Sequence, residues 1–128
     1  MSLTASQIAV CLIGLLHVLF MFGELYPWGA PKIMGLVLRK WPKQLDLSAN
    51  DQHLVAMIVH NAGIYNGIVA AGLFAATWVG PNAYCIQVTL LACGIVAGLF
   101  GAATLSKATI FQAICGAIAL AAVIYFHA

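Results

Sequence analysis

Residues 54–79 read LVAMIVHNAGIYNGIVAAGLFAATWV, a stretch that contains no Asp, Glu, Lys or Arg. A hydrocarbon core about 30 Å thick needs roughly 20 apolar residues of α-helix. The stretch meets that length, yet its middle carries the polar segment HNAGIYNG at residues 60–67. Whether the rest of the chain is equally apolar therefore decides the fold class. The role of these polar groups bears on the function.

The composition of the whole chain places it in a lipid bilayer. Of its 128 residues, 64% are hydrophobic and 6% are charged. An average soluble domain is roughly 45–50% apolar and about 25% charged. Five basic and three acidic side chains cannot form a water-soluble surface on a chain of this size. The composition therefore predicts an integral membrane protein, and without an Arg-rich segment we expect no nucleic-acid partner.

Four segments have the length and apolar character of membrane spans. They cover about 4–25, 52–79, 82–105 and 109–127. Pro27 and Pro31 end the first span, because proline cannot continue the helical hydrogen bonds. Residues 80–82, Gly-Pro-Asn, predict a tight turn between the second and third spans. The sequence thus predicts an all-α fold, a single domain over 1–128 built as an integral membrane four-helix bundle.

The basic residues predict an orientation. Four spans put the first and last connections on one side of the membrane, and all five basic residues lie in these connections: Lys32, Arg39, Lys40, Lys43 and Lys107. Because positively charged loops stay in the cytoplasm, we expect both termini outside and the long first connection, 29–51, inside. The predicted location is the inner (plasma) membrane of a bacterium. The connection forms either an amphipathic surface helix or a solvated loop, and Ser48 predicts the cap of the second span.

Six polar side chains inside the first two spans form the candidate ligand-binding or polar-network site. They are His17, Glu24, His60, Asn61, Tyr65 and Asn66. An ionisable group at membrane depth costs about 2.5–3.5 kcal/mol for Asp, Lys or Arg, and such groups face the bundle interior. Two readings stay open for each residue alone, because a polar side chain inside a span either serves a ligand or packs the helices together.

The helical rise places both polar sets at matching depths. Glu24 should lie level with Met57, roughly one turn from His53 and His60. A carboxylate at that depth needs a proton or a donor, so we expect a pairing of Glu24 with His60 or His53. The alternative is that Glu24, close to the inner end of its span, extends to water.

Small residues at a spacing of four predict close helix packing. The two rows are Gly63, Gly67 and Ala71 in the second span and Gly94, Gly98 and Ala102 in the third. Such rows either join the spans of one chain or join copies of the chain. We expect a homo-oligomer in addition to the intrachain packing.

Three blocks of the sequence resemble the family of bacterial and fungal membrane proteins called domain of unknown function 1304. Residues 17–28 are similar to its pattern of a His, an acidic residue and a Trp. Residues 61–67, NAGIYNG, are similar to its Asn-x-Gly-x-Tyr-Asn-Gly signature, and 94–104 to its glycine-rich stretch. The resemblance implies four spans and no established chemistry.

Two functions of different classes fit these observations. In the first, a polar pocket between spans one and two binds a small amphipathic or lipid-like ligand, such as a molecule with a quinone-like head group. The alternative is a non-enzymatic accessory subunit that packs in a larger membrane complex. The sequence does not decide whether a reaction is catalysed.

A cofactor site ranks below both functions. His17 and His60 could flank a haem, or hold a metal together with Glu24. Their estimated depths differ by roughly one turn, which does not suit a shared planar haem. Two His and one Glu are also too few for a di-iron site. The sequence therefore assigns no metal and no particular cofactor.

Overall fold

The computed structural model describes residues 4–26, 48–79, 83–104 and 107–127. These residues form four α-helices, and no β-strand occurs among them. The helices are α1 (Ala5–Leu25), α2 (Ala49–Ala76), α3 (Ala83–Thr104) and α4 (Ile110–His127), with a 3-10 turn at Lys107–Thr109 before α4. The predicted all-α fold is confirmed, with one helix in each predicted span.

The length and apolar character of the helices make this an integral membrane protein. Among the described residues, three stretches are long and apolar enough to cross a bilayer: Ala5–Leu25, His53–Ala76 and Ala83–Thr104. The fourth helix supplies a shorter apolar stretch, Ile110–Phe126. At 1.5 Å per residue this stretch covers about 25 Å, close to the hydrocarbon thickness.

Some predicted features lie outside the described residues. They are the helix breaks at Pro27 and Pro31, the surface helix or loop of the first connection with its four basic residues, and the turn at 80–82. The orientation of the termini and the single domain over 1–128 stay predictions.

The chain divides into two compact units, Met1–His17 with Val69–Ala128, and Val18–Ile68. We call them the first and the second unit. All four helices contribute to the buried core of the first unit. Its members are Val10 and Ile13 of α1, Leu73 of α2, Leu91 of α3, and Ala119 and Val123 of α4. One core shared by four helices is the packing expected of a bundle.

Glycine lets α3 and α4 approach closely in the first unit. A Cβ at Gly98 would lie 2.7 Å from the backbone nitrogen of Ala113 and 3.1 Å from the carbonyl oxygen of Thr109. Contacts this short with backbone atoms leave no room for a side chain. The third-span row of small residues thus packs helices within the chain at this position.

Side chains from two other helices complete the last turn of α2. The Phe74 and Ala75 carbonyls accept bonds from the backbone N–H groups of Thr77 and Trp78. The next two carbonyls are reached from outside the helix: Gln87 Nε2 of α3 donates to Ala76 O at 3.1 Å, and Gln7 Nε2 of α1 donates to Thr77 O at 3.0 Å. Ala76 and Thr77 are buried, and buried carbonyls need such partners because no water reaches them.

The N-termini of α1 and α2 are each capped by the residue that precedes the helix. The Gln7 backbone N–H donates to Thr4 Oγ1 at 3.3 Å while Gln7 Oε1 accepts from the Thr4 backbone N–H at 2.9 Å, the reciprocal pattern of a capping box. At α2, the Asp51 backbone N–H donates to Ser48 Oγ at 3.2 Å. The predicted cap at Ser48 is confirmed, and it explains why α2 begins at Ala49.

Candidate functional site

A hydrogen bond joins the first two helices inside the second unit. The Asn66 side-chain nitrogen Nδ2 donates to Glu24 Oε2 at 2.7 Å. Glu24 stands next to the last residue of α1, and both side chains are half-buried. A carboxyl group in an apolar span needs such a donor, since lipid offers none. Two of the six predicted site residues are therefore in direct contact.

Two glycines bring α2 close enough to α1 for this bond. A Cβ at Gly63 would lie 3.2 Å from Glu24 Cβ and 3.3 Å from the Met21 carbonyl oxygen. A Cβ at Gly67 would lie 2.6 Å from Met21 Sδ. Such close approach is what a Gly-x-x-x-Gly row permits. At these two positions the predicted second-span row serves packing within the chain.

His60 lies on the same face of α2. It precedes Gly63 by three residues and Gly67 by seven, which places all three on the side that faces the end of α1. Its side chain is half-buried, and its Nε2 is closed to solvent without a hydrogen-bond partner in the described parts of the chain. A buried imidazole nitrogen with this environment retains an unused donor or acceptor. We call Glu24, His60 and Asn66 the Glu24 cluster.

The axial position of Glu24 differs from the depth estimate. Glu24 meets α2 at Gly63 and Asn66, whereas equal alignment of the helix ends placed it level with Met57. The offset from Met57 to Gly63 is six residues, or about 9 Å along the helix. The cause is that contacts at the two glycines, and not the ends of the spans, set the register of the helices. Glu24 bonds to Asn66, and no pairing of Glu24 with His53 or His60 occurs among the described residues.

Asn61 and Tyr65 lie on the opposite face of α2. Each is separated from Gly63 by two residues, which corresponds to about 160° around the helix at 100° per residue. Both are exposed, Tyr65 by 61%. The structure therefore does not bring these two side chains to Glu24. The prediction that all six residues serve one ligand is not tested by these contacts, and Asn61 and Tyr65 lie outside the Glu24 cluster.

His17 belongs to the first unit and is almost fully buried there. Its side chain is 3% exposed and rests on the backbone of α3, where a Cβ at Gly94 would lie 3.3 Å from His17 Nε2. Gln112 of α4 reaches the same place, since its Nε2 donates to the Gly94 carbonyl oxygen at 3.1 Å. Three helices thus meet through polar groups around one glycine. We call His17, Gly94 and Gln112 the His17 cluster.

Three glutamines with structural roles were not singled out in the sequence. Gln7 donates to the carbonyl of Thr77, just after the end of α2, and Gln87 and Gln112 each donate to a backbone carbonyl of another helix. Their signal was present, because an amide inside an apolar span must find a partner in the protein. Searching for ionisable groups passes over them, since glutamine carries no charge.

The Glu24 cluster offers the chemistry of hydrogen bonding and proton exchange. It combines a carboxyl group, an amide and an imidazole within about two turns of α2, all on the side of that helix nearest α1. Among the described residues, no group of three or more His, Cys, Asp or Glu side chains could hold a metal ion.

Comparisons with known proteins identify one family. The chain matches the family model described as "Protein of unknown function (DUF1304)" over residues 11–124. No curated protein and no solved structure matches the chain. The matched range includes the Glu24 cluster, the His17 cluster and the exposed pair on α2. The resemblance based on the three sequence blocks is confirmed, and the chain belongs to the DUF1304 family of proteins.

Proposed function

We propose that the protein binds a small amphipathic molecule whose polar head group occupies the Glu24 cluster. The observation that carries this proposal is the 2.7 Å bond from Asn66 to Glu24, with the buried and unpartnered His60 Nε2 on the same helix face. The described residues supply Glu24 with this one donor. A carboxyl group can accept several hydrogen bonds, and leaving them unmade in lipid is costly.

The chemistry of the cluster favours a head group with hydroxyl or amine donors. Glu24 accepts hydrogen bonds, and His60 Nε2 accepts or donates one according to its tautomer. The head group would lie near the cluster and the apolar tail among the lipid chains. This arrangement is typical of ligand sites in which a few polar groups orient a mostly apolar molecule.

Untargeted mass spectrometry of the extract from gently purified protein tests this function. We expect a molecule in near-stoichiometric amount with the wild type and at least fivefold less with Glu24→Gln or Asn66→Ala. Asn61→Ala is the matched control, because it removes the same side chain from the opposite face of α2, and it should retain the molecule. Equal occupancy in all four proteins, or only background lipid in the wild type, would contradict the proposal.

The alternative function is an accessory subunit of a larger membrane complex. The same purification distinguishes it, since a stoichiometric second protein in place of a small molecule would favour the accessory role. We rank this function second, because the contact between Asn66 and Glu24 favours a small molecule at the Glu24 cluster.

We also propose that the chain lies in a bacterial inner membrane with both termini outside. The support is that every basic residue falls in the first or the last connection, including the exposed Lys107. Reporter fusions that are active only in the cytoplasm check this orientation. A fusion inserted at Lys107 should be active and one at the C-terminus inactive, and the reverse pattern would refute it.

A further inference from the structure

One face of α2 in the second unit carries a heptad pattern of exposed residues. Its members follow each other at spacings of four, three, four and three: Leu54, Ile58, Asn61, Tyr65 and Ile68. We call these five residues the α2 seam. The four large ones are between 56% and 62% exposed, and Asn61 is exposed too. The seam lies opposite the glycine face that packs on α1.

Alternation of three and four is the repeat of helices that pack as a coiled coil. It keeps one row of side chains on a partner helix over successive turns, and membrane helix pairs use the same geometry. Five members covering two full heptads make a row about 21 Å long, most of the thickness of the hydrocarbon core. The face therefore has the length and spacing of a helix-pairing surface.

Two polar groups in the middle of the seam separate it from an ordinary lipid-facing surface. Apolar side chains of the seam can face lipid at no cost, whereas the Asn61 amide and the Tyr65 hydroxyl lose hydrogen bonds there. Within the described ranges neither side chain has a hydrogen bond to any part of the chain. A partner helix that brings donors and acceptors to this depth would satisfy them.

The membrane restricts how a second copy can meet this face. All copies insert with the same orientation, so two α2 helices that pair run parallel, related by a two-fold axis along the membrane normal. Each seam residue then faces its own counterpart. Because an amide and a phenol hydroxyl each donate and accept, Asn61 and Tyr65 are self-complementary in this arrangement. The seam carries no charge that would repel its copy or select an oppositely charged partner.

From these observations we infer that two copies of the chain form a parallel dimer through the α2 seam, with the two Asn61 side chains hydrogen-bonded at its centre. The polar pair sets the register, as a single polar residue does in a water-soluble coiled coil. The Glu24 cluster faces the other side of α2. The dimer therefore leaves that cluster accessible, and it does not depend on the ligand proposed there.

Disulfide crosslinking in lipid vesicles tests the seam. The four native cysteines are replaced by Ala, and single cysteines are introduced by Ile68→Cys in the seam or by Ile118→Cys on α4. The two isoleucines are similarly exposed, by 61% and 65%, so lipid-phase collisions affect both equally. We expect oxidation to convert most of the Ile68→Cys protein to a covalent dimer and little of the Ile118→Cys protein. Equal crosslinking at both positions, or none at Ile68, would overturn the inference.

The role of Asn61 is tested separately by energy transfer between labelled copies in vesicles. Asn61→Leu keeps an apolar seam but removes the interhelical bond, and should weaken dimerisation roughly 3- to 30-fold. Asn61→Gln keeps the amide and should weaken it less. A leucine variant that dimerises as tightly as the wild type would refute the polar pairing. If that variant misfolds by circular dichroism, the crosslinking comparison, made with Asn61 intact, decides the matter.

Discussion

Replacing Asn66 by Ala should destabilise the protein through the loss of its hydrogen bond to Glu24. The bond to Glu24 is short, at 2.7 Å, and its acceptor is a carboxyl oxygen. Side-chain hydrogen bonds between membrane helices average about 0.6 kcal/mol and reach about 1.7 kcal/mol in double-mutant cycles. Because bonds to carboxyl groups are among the stronger ones, we place this bond in the upper part of that range, at about 1–1.7 kcal/mol.

A double-mutant cycle of Glu24→Ala with Asn66→Ala measures this value. The free energy of unfolding is followed by circular dichroism as a denaturing detergent is titrated into mild-detergent micelles. The sum of the stability losses in the two single variants should exceed the loss in the double variant by about 1–1.7 kcal/mol, because each single variant already breaks the bond. Residues without a direct interaction add within about 0.5 kcal/mol.

The control cycle pairs Glu24→Ala with Asn61→Ala. Asn61 lies on the opposite, exposed face of the same helix, so these two changes should be additive. A coupling below about 0.5 kcal/mol for Asn66, or an equal coupling for Asn61, would refute the contact and with it the Glu24 cluster.

Three further predictions concern helix packing and the helix ends. Gly98→Ala should destabilise the protein by about 1–3 kcal/mol, since its Cβ would stand 2.7 Å from the backbone nitrogen of Ala113; Gly23→Ala, where nothing lies within 4 Å, should be neutral or stabilising in the same unfolding assay. Gln112→Leu should cost about 0.6–1.7 kcal/mol through its lost bond to a backbone carbonyl, which detergent unfolding will show. Ser48→Ala should cost about 1 kcal/mol and speed hydrogen exchange of the Asp51 amide, and an unchanged exchange rate would exclude the cap.

The membrane fold could be predicted because it depends on composition and length, which are independent of packing. A chain with few charged residues has no alternative to lipid, and the four apolar runs have the lengths that a bilayer requires. The cap at Ser48 could be predicted equally well, since capping involves only residues close together in sequence. Local chemistry and bulk composition thus account for the elements and their beginnings.

The contacts of the candidate site required the structure. The position of Glu24 beside Gly63 follows from where two glycines allow the helices to touch, and a count of residues from the span ends contains no such information. The separation of Asn61 and Tyr65 from Asn66 could have been foreseen from the 100° step of the helix. Grouping them by closeness in sequence overlooked that neighbours along a helix point in different directions.

The hydrogen bonds at the C-terminal end of α2 have a consequence for how the protein is inserted during synthesis. The carbonyl of Ala76, the last residue of α2, accepts from Gln87 of the helix that follows, and the carbonyl of Thr77, just after it, accepts from Gln7 near the start of the chain. During synthesis Gln7 is present before α2 leaves the ribosome, whereas Gln87 arrives only afterwards. A hairpin of the first two helices alone would hold an unsatisfied carbonyl at Ala76. The hydrogen bonding at the end of α2 is therefore complete only after α3 enters the bilayer. A chain truncated before Gln87 should be recognised and degraded by membrane quality control.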